Sequence, residues 1–150
     1  MTQVATIDLV QQQTEMSQYI GKRIHGSQLE DFQSNGIWDR LKSVKSWNVR
    51  KHAYDRLAEK GINATYEDLI SCIHDSTLIE YKIDYNPITN RCDERVVLRA
   101  NAVVNYCYNI HVVYSLSQQR IITVWMNNVN DLHKTLDWSI YDESMKVFGV

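Results

Sequence analysis

Polar and apolar residues fall into two textures along this chain: up to about residue 75 apolar positions recur three and four apart, and beyond it they alternate. Over residues 4–24, Val4, Ile7 and Val10 hold helical spacing, and Met16, Tyr19 and Ile20 resume it after the polar run Gln11-Gln12-Gln13. Gly21 and the segment His25-Gly26-Ser27 predict a break. Ser27, with Glu30 three residues on, predicts a short capped helix reaching Phe32. Ser34-Asn35-Gly36 predicts a turn. Ile37, Trp38, Leu41 and Val44 then predict a helix to Trp47. Asn48 is a suitable cap for the next helix, whose apolar stripe is Val49, Ala53 and Leu57 and whose end is Gly61. Thr65-Tyr66-Glu67-Asp68 is a Thr-x-x-Asp start, and Leu69, Ile70, Cys72 and Ile73 carry that helix to about Asp75.

From residue 77 the period is two. Residues 77–84, 94–100, 110–116 and 120–126 read as strands, punctuated by Asn86-Pro87-Ile88-Thr89-Asn90 and Ser117-Gln118-Gln119, the spacing of an antiparallel meander. In the tail, Leu132 to Phe148, the apolar residues Ile140, Met145 and Phe148 predict a last helix. Helices first and strands after predict an α+β fold: N-terminal helices packed on one face of an antiparallel sheet of about four strands, with a C-terminal helix. The expected organisation is one compact domain, with a helical extension over 1–47, a core over 48–128 and a tail over 129–150. The second sheet face is then open or half open. Alternation turns Val96, Leu98, Ala100, Ile110, Val112, Tyr114, Leu116, Ile122, Val124 and Met126 toward the helices. It turns Arg95, Val97, Arg99, His111, Val113, Ser115, Ile121, Thr123 and Trp125 outward.

Composition changes this picture little. A chain of 150 residues, 44% of them hydrophobic, is enough for one cored domain. No apolar run is long enough to span a membrane, and the N-terminus has no basic segment followed by an apolar one. A cytoplasmic protein, of the producing or the target cell, is therefore expected. Cys72, Cys92 and Cys107 have no metal-binding spacing and read as free thiols. The histidines, His25, His52, His74, His111 and His133, form no HxxxH or HExxH pair, and there is no glycine-rich nucleotide loop. Neither a metal nor a cofactor is expected.

Charge changes it more. The net charge of −2 offers no global attraction to nucleic acid. Between Arg40 and Lys60, however, the cations Arg40, Lys42, Lys45, Arg50, Lys51, Arg56 and Lys60 face only Asp55 and Glu59, a local charge of +5 that leaves −7 for the rest. Within this stretch His52 and Arg56 are four apart and share a helix face. Each precedes a stripe residue by one position, so both lie at the border between core and solvent. A titratable imidazole beside a permanent cation suits phosphate chemistry, although a solvated helix face carries the same residues. On the outer sheet face Arg99, His111, Ser115, Thr123 and Trp125 combine cations, hydroxyls and an aromatic, a mixture fit for a phosphodiester and a stacked base.

Three phrases together resemble a known family: Lys51-His52-Ala53-Tyr54-Asp55-Arg56-Leu57-Ala58-Glu59-Lys60-Gly61-Ile62, the capped helix with Leu78-Ile79-Glu80-Tyr81 after it, and Arg120-Ile121-Ile122-Thr123-Val124-Trp125. They are similar to a family of small His-Ala-x-x-Arg domains grouped with the barnase/EndoU/colicin/RelE-type ribonuclease toxins and phage-associated effectors. The resemblance covers residues 48–128. It implies metal-independent RNA cleavage by attack of the 2′-hydroxyl on the adjacent phosphate. It also implies catalytic roles for His52 (acid/base), Arg56 (phosphate) and Thr123 (a non-bridging oxygen). The outer face adds Arg99 as a second cation, with Lys51, His111 and Trp125 as RNA-binding residues. An immunity or antitoxin protein, acidic over the basic helix, is the implied partner. The competing expectation is a non-catalytic phage or mobile-element module, including an anti-defence inhibitor, on the same frame. The terminal helices leave room for a homodimer.

Overall fold

The alternating half of the chain builds the four long strands of a six-stranded sheet, seen in a computed structural model that describes residues 2–44, 47–104, 106–130 and 137–149, with backbone alone for 2–8. Strands β3 (Ser76–Asn86), β4 (Arg91–Val104), β5 (Tyr108–Ser115) and β6 (Arg120–Asn128) run as an antiparallel meander. Ahead of them come α1 (Thr2–Ser17), β1 (Arg23–His25), α2 (Asp31–Lys42), β2 (Asn48–Val49), α3 (Lys51–Glu59) and α4 (Tyr66–His74). The strand order is β1-β3-β4-β5-β6-β2; β1 is antiparallel to β3, and β2 is parallel to β6. The α+β class is as expected, but the sheet has six strands instead of about four. The added strands are three and two residues long, too short for alternation to register.

The helices also depart from expectation. α1 ends at Ser17, short of residue 24. In place of a helix over 27–32 there is a 3₁₀ turn, Gly26–Gln28, in which the Ser27 N–H donates to His25 Nδ1 at 3.1 Å. Gly26 is pressed against β3: a Cβ there would stand 2.0 Å from the Leu78 carbonyl oxygen. α2 starts at Asp31 and runs straight through Ser34-Asn35-Gly36, because burial of Ile37 and Leu41 outweighs the local turn preference. Asn48 sits in β2, and Arg50 occupies the cap position of α3. α4 starts as expected, with Asp68 N–H donating to Thr65 Oγ1 (3.2 Å) and Thr65 N–H to Asp68 Oδ2 (2.8 Å). In the tail, residues 137–149 hold only a 3₁₀ turn, Trp138–Ile140, where a helix was expected; Met145, Val147 and Phe148 nevertheless reach the core. Lys45, Leu132 and His133, and the side chains of Val4 and Ile7, lie outside the described residues.

The core fills the sheet face under the helices. Val96, Leu98, Ala100, Ile110, Val112, Tyr114, Leu116 and Val124 are buried there with Ile37, Leu41, Ala53, Leu57, Leu69 and Ile73, as alternation assigns them. One pair is exchanged. Val113 faces Thr123 but Tyr114 faces Ile121, so Ile122 is the extra residue of a bulge. Ile121 therefore enters the core and Ile122 packs outward, the reverse of strict alternation. The outer face is not plain polar surface either, since Ile79, Val97 and Val113 form a second buried cluster with Ile122 and Trp125 against it.

An ionic knot ties the tail to the core. Arg40 makes two hydrogen bonds to Glu94 (2.8 and 3.1 Å) and one to the Phe148 carbonyl (3.1 Å), while Tyr81 OH donates to Glu94 at 2.6 Å. Burial works against the Arg40 charge, but the hydrogen bond and charge of Glu94 outweigh it and raise its pKa. Among the described residues no helix is long and apolar enough to cross a membrane.

Candidate functional site

Good helix formers and a Gly61 stop make α3: Ala53, Leu57 and Ala58 lie inside it, and Gly61 takes φ 79° with Ile62 N–H returning to Leu57 O at 2.9 Å. Ala53 and Leu57 are buried, which directs the flank carrying His52 and Arg56 along the edge of the core, as the stripe predicts. Because β2 runs parallel to β6 and leads directly into α3, the helix lies beside β6. β2 covers the β6 edge only at Arg120 and Ile121. Farther along, a cleft of about 330 Å³ opens between helix and strand, lined by Arg56, Leu57, Glu59, Lys60, Val124, Trp125 and Met126. Lys51, His52, Arg56 and Lys60 are exposed, and none forms an ion pair with the described residues. The helix therefore presents Arg56 and Lys60, with Glu59, beside the segment of β6 that carries Trp125.

The remaining predicted residues lie on the outer face. Thr77, Arg99, His111 and Trp125 stand directly opposite one another across β3, β4, β5 and β6. His111 is buried and stacks on Trp125, centroids 5.1 Å apart and planes 20° apart. Arg99 is engaged internally. Its Nε and Nη2 donate to Asn109 Oδ1 (3.2 and 2.8 Å), and Nη2 donates also to the Val129 carbonyl (3.2 Å). Asn109 in turn donates to the carbonyls of Ala100 and Ala102, spanning the irregular pairing between Arg99 and Val103. Thr123 is half-buried opposite Val113. The structure thus brings Arg56 and Trp125 to one cleft and aligns Arg99 and His111 with Trp125. It does not join Arg99 to His52 and Arg56: Arg99 is two strands inward, roughly 10 Å at the usual strand spacing, and on the opposite face from α3.

Two features escape the sequence. Lys60 lines the cleft, one helical turn beyond Arg56. Arg23, Lys82, Arg95, Ser115 and Arg120 form a second cross-strand row on the outer face, visible only once the pairing of β1 and the bulge between β5 and β6 are known. At its β1 end, Glu80 accepts from Arg23 Nη1 (3.2 Å) and Tyr141 OH (3.1 Å). Burial, and then the Glu80 charge, push the Tyr141 phenol up to about 12, so it remains a donor. His25 packs edge-on against Trp138 and Tyr141 beside this pair. Among the described residues no three His, Cys, Asp or Glu side chains converge to hold a metal ion. No family model, no curated protein and no solved structure matches the chain.

Proposed function

We propose that the protein is a metal-independent endoribonuclease of toxin or effector type, with RNA lying along α3 and the edge of β6. The observation that carries this reading is the cleft that Arg56 and Lys60 line from the α3 side and Trp125 from β6, with His52 one turn back on the same exposed helix flank. The resemblance of residues 48–128 to ribonuclease toxins supports it. In this reading the substrate 2′-hydroxyl attacks the adjacent phosphorus and the 5′-oxygen leaves, giving a 2′,3′-cyclic phosphate. His52 moves the proton, Arg56 and Lys60 stabilise the charge gathering on the phosphorane, and Trp125 offers a surface for a base. An acidic immunity or antitoxin protein covering α3 would silence the site.

The test is incubation of the purified protein with an oligoribonucleotide in chelator, reading product termini by mass spectrometry. Cyclic phosphate ends are expected. His52→Ala is expected to abolish them and leave the fold intact, because the side chain is exposed. Undiminished cleavage by that variant refutes the assignment.

A second reading, a protein-binding module of a phage or mobile element, is favoured by the internal engagement of Arg99 and the burial of His111, which keep both out of a cleft whose charged lining is Arg56, Glu59 and Lys60. Expression separates the two. A nuclease produced without its partner arrests growth, and a module does not.

A further inference from the structure

The cation row of the outer face has an unbalanced end. Arg23 is paired with Glu80, Lys82 with Asp84, and Arg95 with Asp84 and Asp93. Arg120, next in the row after Ser115, has no ion pair among the described residues. Its Nε is buried and has no hydrogen-bond partner there. Arg50 lies close by: Asn48 is paired with Arg120, and Arg50 follows two residues on in extended conformation. The Asp93 charge acts on Arg120, but its hydrogen bonds go to Ser115 (2.7 Å), Arg95 (2.8 Å) and Gln118 (2.9 Å). Burial first, then the charges of Arg50 and Arg95, depress the Arg120 pKa. The same corner holds the start of α3, which has no side-chain cap and no acidic residue in its first turn.

Two neighbouring guanidinium groups, Arg120 and Arg50, without ion pairs among the described residues and with an orphaned buried N–H on Arg120, are costly to assemble for structure alone. A helix N-terminus and guanidinium forks are what an oxyanion binds best. We infer that Arg120 and Arg50 form a phosphate-binding site where β6 meets the start of α3, beside an Arg95 already held by Asp84 and Asp93. The ligand is a phosphate group, carried either by an RNA strand or by a free nucleotide. This deepens the RNA reading without requiring cleavage. A strand held here would pass His52 and continue toward Arg56, about 9 Å farther along the helix.

The test compares wild type with Arg120→Gln by thermal unfolding, with inorganic phosphate, a mononucleotide and an uncleavable 2′-deoxy oligonucleotide as probes. Without phosphate, Arg120→Gln is expected to melt at or above wild type, because it relieves repulsion. A purely structural arginine would give the opposite sign. Phosphate is expected to raise the melting temperature of wild type and to leave the variant unmoved. For the oligonucleotide, the slope of log K against log salt should fall by about 0.7 in the variant, the loss of one single-strand phosphate contact. That loss assigns the site to a nucleic-acid strand. A response confined to inorganic phosphate and mononucleotide assigns it to a free phosphate ligand. A destabilised Arg120→Gln that still responds to phosphate as wild type does overturns the inference. Wild type that cannot cleave RNA, but shows the Arg120-dependent response, overturns the nuclease reading and leaves this site standing.

Discussion

Replacing Arg99 by alanine separates a structural from a chemical role for that side chain. Asn109 is 3% exposed, and its Nδ2 is committed to the carbonyls of Ala100 and Ala102. Its Oδ1 depends on the Arg99 guanidinium, which supplies two donors to it and a third to Val129 O. Arg99→Ala leaves Oδ1 buried without a donor, a cost of about 1–3 kcal/mol. For a chain of this length that is a fall in melting temperature of roughly 2–12 °C, at about 2–4 °C per kcal/mol. Asn109→Ala should cost a similar amount, and the double variant less than the sum, since the second change removes the stranded acceptor. Circular dichroism melts give the stability, and cleavage of an oligoribonucleotide well below the transition gives the activity of the folded fraction. The expected result is lowered stability with activity per folded molecule retained. A variant that melts with wild type and fails to cleave RNA puts Arg99 on the phosphate and refutes the argument from its hydrogen bonds.

Two further outcomes follow from the ionic and phenolic groups. Arg40→Met strands Glu94, whose side chain is 4% exposed, and should cost about 3–5 kcal/mol by urea denaturation, with Arg40→Met/Glu94→Leu recovering much of it; equal losses in single and double variants would contradict this. Tyr114 and Tyr141 are both raised by burial to about 12 from the ordinary value near 10. Folded protein therefore holds these protons where unfolded chain releases them, so their contribution is complete below about pH 10 and is lost as pH rises toward 12. Tyr141→Phe should flatten the alkaline fall in stability, and an unchanged slope would count against the burial of that phenol.

The long strands and the α4 cap were readable because period two and Thr-x-x-Asp are local signals. So was the flank of α3, since His52 and Arg56 each adjoin a buried stripe residue. Failures came where the deciding partner is distant. α2 crosses Asn35-Gly36 because Ile37 and Leu41 are gripped by the core, and Ile121 exchanges places with Ile122 because a bulge shifts the β5–β6 register. Alternation put Arg99 on the outer face correctly, but the face does not reveal the partner. Asn109, across the turn from β4 to β5, claims the guanidinium. The importance of Arg120 and Arg50 depends on parallel pairing of a two-residue strand, for which no sequence period exists.

For the RNA binding proposed above, that pairing also bears on which surface a polyanion would use. Along the outer face Arg23, Lys82 and Arg95 already have carboxylate partners and Arg99 an amide, so an incoming phosphate would have to displace internal contacts. At the start of α3 and along its flank, Arg50, Lys51, Arg56, Lys60 and Arg120 have no such partners among the described residues. The exchange therefore favours a path from Arg120 past His52 to the cleft of Arg56, Lys60 and Trp125 over one across the sheet. The −7 carried outside residues 40–60 works the same way, repelling a polyanion from the remaining surface and confining it to this edge.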